Sequence, residues 1–241
     1  MFRWSDYVFP APSTLFVAIK ELLQPLPAFG GGRPLVQGVL VSLARLTVGF
    51  VISIVLGAIL GAMMWRWKSL DEFLGPLFLG LQTLPSVCWV PLAILCIGLD
   101  ERAVLFVVVM GSFFAIAIAL RDGLRAIPPI YQRAGAMLGT SGWRMYRYVL
   151  LPASLPALAS SLRQGFSFAW RSLMGAELIL VAVDHHGLGF ALHIGREVFG
   201  DVAWLVVTMA VMVIIGIVAD RLVFSVLEKR IHRRFGLVAT E

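Results

Sequence analysis

The sequence predicts an all-α integral membrane protein with a single membrane domain, and three observations predict it. Of 241 residues, 59% are hydrophobic and only 14% are charged, with a mean hydropathy of +0.89, far from a soluble globular composition. Four stretches, residues 46–64, 73–99, 103–120 and 202–219, are free of charge and long enough to cross hydrocarbon, at roughly 17–25 residues each. The Lys and Arg residues recur in short clusters between those stretches rather than along one basic face. A chain of this length would permit one or two soluble domains, but the apolar runs leave no room for one.

The net charge of +6 and the pI near 9.9 raise the question of nucleic acid as a partner. The positive-inside rule explains the clusters better, so no nucleic acid is expected. Cys88 and Cys96 stand eight apart in one apolar stretch, about 12 Å along a helix axis. That spacing excludes an intrahelical disulfide, and both are expected to be buried small residues.

Residues 1–34 form an N-terminal segment on the outer side of the membrane. Trp4, Asp6 and the prolines near its start interrupt any continuous apolar core, so no cleavable targeting segment is expected. Within it, residues 13–23 read as a short amphipathic helix with Ser13 as N-cap. Phe16, Ile19, Leu22 and Leu23 fall at helical spacing, which suits the membrane–water boundary. The Pro- and Gly-rich residues 24–33 then break the helix.

The membrane domain covers residues 35–228. Its first span, 46–64, contains Gly57-x3-Gly61, a small-x3-small pattern that permits close helix approach. The second, 73–99, contains Pro76, Pro85 and Pro91, each expected to kink or interrupt it. Gln82, Thr83, Pro85 and Ser86 at that interruption are candidates for lining a translocation pathway, or else their polar groups cap the kink. After the third span, 103–120, the chain leaves the membrane for a loop of about residues 121–152. Residues 156–183 are apolar but include Arg163, Arg171 and Glu177, so this fourth span faces the protein interior. The span 202–219 is the fifth, and residues 229–241 are a cytoplasmic tail.

Basic residues set the orientation. Arg66 and Lys68 follow the first span, Arg121, Arg125, Arg133, Arg144 and Arg147 the third, and Lys229, Arg230, Arg233 and Arg234 the last. Those three loops alternate with the others, so all are cytoplasmic together. An odd number of spans then puts the N-terminus outside and the C-terminus inside.

In the long loop, residues 131–138 favour a helix stopped by Gly139, and residues 141–148 a second short helix closed by Pro152. The result is a compact knob on which Ala134, Met137, Leu138, Trp143 and Tyr146 can fill a groove of a soluble partner while arginines ring the rim. The plainer reading is a solvated loop with positive-inside charge. Arg45, Arg163, Arg171 and Glu177 are the ionisable groups in or near the membrane, where an unpaired charge costs a few kcal/mol. Two roles are open for them, structural ion pairing and contact with an anionic substrate.

Asp184-His185-His186 with His193 offers donors for a metal, but the spacing is unscaffolded, and a hydrated loop is expected with no metal site. No Gly-rich phosphate loop ending in Lys-Ser/Thr is present, and no nucleophile–base arrangement stands out. The chain is read as a non-enzyme without a cofactor of its own.

Several motifs carry a resemblance. Arg133-Ala134-Gly135-x3-Gly139-x9-Val149-Leu150-Leu151-Pro152 is similar to the Glu-Ala-Ala-x3-Gly-x9-Ile-x-Leu-Pro loop of bacterial ABC importer permeases. Phe9-Pro10-Ala11-Pro12-Ser13, Ser42-Leu43-x-Arg45-x3-Gly49-Phe50, Leu81-Gln82-Thr83-Leu84-Pro85-Ser86-x2-Trp89-x-Pro91-Leu92, Ile97-Gly98, Ala176-Glu177-Leu178 and Gly187-Leu188-Gly189-Phe190 extend it over nearly the whole chain. Together they resemble the permeases of nitrate, sulfonate and taurine importers. Two departures stand out: Arg133 replaces the family Glu, reversing a charge in the loop, and family members commonly have an additional N-terminal helix beyond the five-span core.

The resemblance implies a five-helix type I importer permease core in the bacterial inner membrane. It implies a coupling loop in which Arg133, Ala134, Gly135, Met137, Leu138, Gly139, Trp143, Tyr146, Leu151 and Pro152 dock on ABC ATPase subunits that bind ATP-Mg. A second permease copy, surrounding lipid and an extracytoplasmic solute-binding protein complete the implied partners. His185, His186, Gly187 and Gly189 are candidates for docking that binding protein, and Gln82, Thr83, Pro85, Ser86, Arg45, Arg171 and Glu177 for the pathway of a small anion. A stand-alone ion-coupled carrier or channel is the rival reading; a carrier would show internal repeats and more spans.

Overall fold

The computed structural model describes residues 10–25, 33–180 and 187–234, and every regular element among them is a helix. The first, α1, runs Pro12–Leu23 with Ala11 as its N-cap. This corrects Ser13: Pro12 occupies the first helical position, where its fixed φ fits and its missing N–H is no loss. Thr14 Oγ1 donates to Ala11 O at 2.6 Å in that first turn.

Helix α2, Pro34–Arg66, begins well before the apolar run. Its 33 residues extend about 50 Å, more than the hydrocarbon requires, so Ser42 and Arg45 belong to the same rod as Gly57 and Gly61. The second expected span is divided. Helix α3 is Lys68–Thr83, a 3₁₀ turn covers Ser86–Cys88, and α4 is Trp89–Ile97. The break is at Pro85 alone: Leu84 before it is extended, at ψ 130°, because a following proline disfavours the helical region. Pro76 sits inside α3, and Pro91 lies in the first turn of α4, where no donor is missed.

Helices α5, Glu101–Arg125, α6, Pro129–Met137, and α7, Gly142–Met145, follow. A π turn at Tyr146–Leu150 leads directly into α8, Leu151–Ile179. Helices α9, Leu188–Glu197, and α10, Val202–Ala219, come next, then a second π turn at Asp220–Phe224 and α11, Ser225–Arg234. The tail expected from residue 229 is therefore helical through Arg234. Among the described residues, three helical runs are long and apolar enough to cross a membrane: Pro34–Arg66, Glu101–Arg125 and Val202–Ile231. The bent pair α3 and α4 makes a fourth if counted as one span. The expected span at 156–183, fourth in chain order, corresponds to α8, whose Arg163, Arg171 and Glu177 lower its apolarity.

The chain forms two compact units, each built from three separate stretches. The first takes the described residues up to Gly49, then Ser86–Val109 and Ala169–Ile217; the second takes Phe50–Pro85, Met110–Phe168 and Val218 onward. In the first unit, Ala18 and Leu22 of α1 pack with Phe190 and Ala191 of α9 and with Ala203, Trp204 and Val207 of α10. Trp204 Nε1 donates to Ala191 O at 3.1 Å, satisfying the indole's single donor. Helix α1 thus anchors one side in the core through Ala18 and Leu22 while Phe16, Ile19 and Leu23 remain exposed. Cys88 and Cys96, expected to be buried, are both exposed.

In the second unit, α2 meets α5 through glycines. A Cβ on Gly57 would lie 2.9 Å from Ile116 and one on Gly61 2.5 Å from the Ala117 carbonyl oxygen, so the backbones approach as the small-x3-small pattern allows. Ser112 Oγ donates to Ser53 Oγ across the same pair of helices at 2.8 Å. Leu120, Leu124, Ile127 and Leu150 form the cluster beneath the long loop. Arg163, in the expected interior-facing span, pairs with Asp220 and Glu228.

Candidate functional site

The long loop is built around one left-handed residue. Pro128 and Pro129 start α6, and Leu138 caps it. Gly139 follows at φ +76°. Its N–H donates to Ala136 O at 3.0 Å, and Thr140 N–H donates to Gly135 O at 3.0 Å. That pair of bonds is a Schellman closure, which needs a residue without a Cβ at the left-handed position. Thr140 Oγ1 adds a third bond to Gly135 O at 2.7 Å, and Gly135 is buried beneath it.

The closure turns apolar side chains outward. Met137 is 89% exposed, Leu138 83% and Trp143 73%, and Arg133, Ala134, Arg144 and Arg147 are exposed around them. Tyr146 departs from the expected knob. It is half-buried, stacks on Trp143 at 5.4 Å and packs against the cluster beneath the loop, and burial pushes its phenol above the ordinary range. Pro152 departs too, since the helix does not close there. Leu151 N–H reaches back to Tyr146 O in the π turn, and this wider turn accommodates the proline that follows without a break. Leu151 and Pro152, half-buried, are the first residues of α8.

A buried ion cluster occupies the first unit. Arg45 donates through Nε and Nη2 to the two oxygens of Glu101 at 2.6 and 2.8 Å, and through Nη1 to Glu177 Oε1 at 3.0 Å. Ser42 Oγ lies 2.7 Å from Glu177 Oε2 and accepts from Leu188 N–H at 2.9 Å. Gly189 N–H donates to Glu177 Oε2 at 3.0 Å. The carboxylate therefore sits against the N-terminus of α9, where free N–H groups and the helix dipole favour an anion.

Of the pathway candidates, the structure brings Arg45 and Glu177 together. The arginine's fork is committed to two carboxylates, an ion-paired arrangement. Arg171 is exposed on α8, Gln82 and Ser86 are half-buried, and Pro85 is exposed at the break. Thr83 donates to Gly80 O at 2.6 Å, the capping role. Gly187 and Gly189, expected at a docking surface, are buried against Glu177; a Cβ on Gly189 would stand 2.5 Å from that of Glu177. They form a seat for the carboxylate. His185 and His186 lie outside the described residues, as does Asp184; His193 is half-buried on α9. Ser42 and Glu101 were not singled out as site residues. The signal for Ser42 is its i, i+3 spacing from Arg45, which puts both on one helix face.

Residues 53–233 match the family of binding-protein-dependent transport system inner membrane components. The chain belongs to that family. As a permease it is 27% identical over 203 residues to a putative ABC transporter permease of Methanocaldococcus jannaschii, covering 84% of this chain and 75% of that one. It is 29% identical to the bicarbonate transport system permease of Synechococcus elongatus, covering 75% and 66% of the two chains. It is 26% identical to the nitrate import permease of a Synechocystis strain, covering 86% and 76%. The methionine ABC transporter MetNI in an inward-facing form superposes with a TM-score of 0.69 at 18% identity, over 82% of this chain and 95% of that one. An amino acid ABC transporter superposes at 0.66 and 16% identity, over 81% and 93%. The fold is that of a type I importer permease, and the chain is a transport subunit of an ABC importer.

Proposed function

We propose that this permease carries a small anionic solute, a sulfonate, taurine, nitrate or related anion, across the membrane. ATP-Mg is bound and hydrolysed by separate ATPase chains that seat the loop from Arg133 to Pro152. An extracytoplasmic binding protein delivers the solute, and a second copy of the permease completes the pathway. The observation that carries the coupling role is the exposed apolar trio Met137, Leu138 and Trp143 on a loop set by Gly139. Apolar side chains so fully exposed, with arginines around them, are what an interface core with a polar rim requires. The bicarbonate and nitrate named for two relatives are both small anions and support that solute class. All three basic loops fall within the second unit, which supports a common cytoplasmic side for them, with the N-terminus outside.

The experiment is ATPase activity of the permease co-expressed with its neighbouring ATP-binding gene product in lipid nanodiscs, with Gly139→Val alongside. A β-branched residue at φ +76° costs about 1–2 kcal/mol and dismantles the closure. Assembly of the wild type, with solute-stimulated activity lost in the variant at unchanged fold, is the expected result. A folded chain that assembles with no ATPase would instead favour a stand-alone carrier.

A further inference from the structure

A cavity of about 820 Å³ opens in the second unit where α2 ends. Its lining changes character along its length. Ala62 and Met63, on the spanning part of α2, are apolar. Trp65, Tyr146 and Trp143 make an aromatic wall, with ring centres 6.4 Å apart for Trp65 and Tyr146 and 5.4 Å for Trp143 and Tyr146. Arg66 brings positive charge to the same lining, and among the described residues no carboxylate lines it. Lys68, two residues on, is held by Glu72 at 3.5 Å.

Depth and charge both identify an occupant. Helix α2 leaves the hydrocarbon at Trp65-Arg66-Trp67, and aromatic rings beside cations are the marks of the headgroup level. Exposed Arg144 and Arg147 of the neighbouring loop add positive charge. A cavity apolar toward the bilayer interior and cationic at the headgroup level matches a molecule with a hydrocarbon chain and an anionic head. We propose that it is a binding site for an anionic phospholipid, with an acyl chain along Ala62, Met63 and the aromatic wall and the headgroup phosphate at Arg66. This site uses none of the pathway candidates, but it shares Trp143 and Tyr146 with the proposed coupling loop, so the ATPase is the competing occupant that the test must distinguish.

The test is native mass spectrometry of the full-length permease equilibrated with an equimolar mixture of phosphatidylglycerol and phosphatidylcholine. The wild type is expected to retain phosphatidylglycerol preferentially, by about fivefold for one basic residue at an anionic headgroup. Arg66→Gln is expected to bring the two lipids to parity, Arg66→Lys to keep the preference, and Ala62→Trp to remove the retained lipid of either kind by filling the cavity. Unchanged melting of Arg66→Gln shows that its loss is not unfolding. Preference surviving in Arg66→Gln, or a retained lipid surviving in Ala62→Trp, overturns the site. So does loss of the lipid when the ATPase is added, which would assign the cavity to that chain.

Discussion

Glu177 makes its bonds because the chain gives it nowhere to be solvated. It is 2% exposed, and an isolated carboxylate there would be very costly. Arg45, Ser42 and the Gly189 N–H share the load. Removing the cation is therefore worse than removing one anion. Arg45→Gln removes the cation that two carboxylates share, and a loss of about 3–5 kcal/mol is expected. Glu177→Gln leaves Arg45 its bidentate partner, and about 1–3 kcal/mol is expected. Melting temperatures of both variants in nanodiscs should fall in that order; equal stability of the two would contradict the shared-anion arrangement. Only part of this was legible in the sequence. The cost of a lone charge in a span pointed to pairing for Arg45 and Glu177, but partners over a hundred residues apart are set by helix packing, which periodicity does not contain. Glu101 stands in the short charged run Asp100-Glu101-Arg102 between two apolar stretches, and nothing local shows it reaching Arg45.

At the level of single helices, composition foretold existence better than ends. The apolar runs located the cores of α2, α5 and α10, yet α2 starts at Pro34 because polar residues such as Ser42 and Arg45 are sheltered by packing. Three prolines in one stretch look alike in sequence. Pro85 breaks the rod, whereas Pro76 and Pro91 do not, because the outcome depends on where each falls in its helix. The glycine pair in α2 was read correctly, and it gives a sharp test. Gly61→Val places atoms against the Ala117 carbonyl at a separation no relaxed Cβ tolerates, and overpacking of this kind costs about 1–3 kcal/mol. A matched Gly80→Val, where nothing lies within 4 Å, loses no packing and gains roughly 0.3 kcal/mol in helix propensity. Thermal melts of the two in the same lipid should separate them; similar losses would argue against close contact between α2 and α5.

For the molecule as a whole, the proposed orientation makes a two-sided prediction. With Cys88 and Cys96, both exposed, replaced by Ser, Asp100→Cys should react with a membrane-impermeant maleimide in intact cells. Arg144→Cys should react only in inverted vesicles. The reverse pattern would invert the topology. The family and the helical class were visible in the sequence because motifs and hydropathy are properties of short segments. The partition into two units was not, because its junctions fall inside continuous helices: α2 changes unit after Gly49, α5 after Val109, α8 after Phe168 and α10 after Ile217, with a further junction after Pro85. No single cut in the chain releases either unit intact. The buried ion cluster belongs to one unit and the coupling loop to the other, so recombination between relatives cannot exchange one as a cassette without severing the rods that bear both. Any chimera joined at one point would inherit a mixture of the two, and swapping a whole unit would require crossovers at every junction at once.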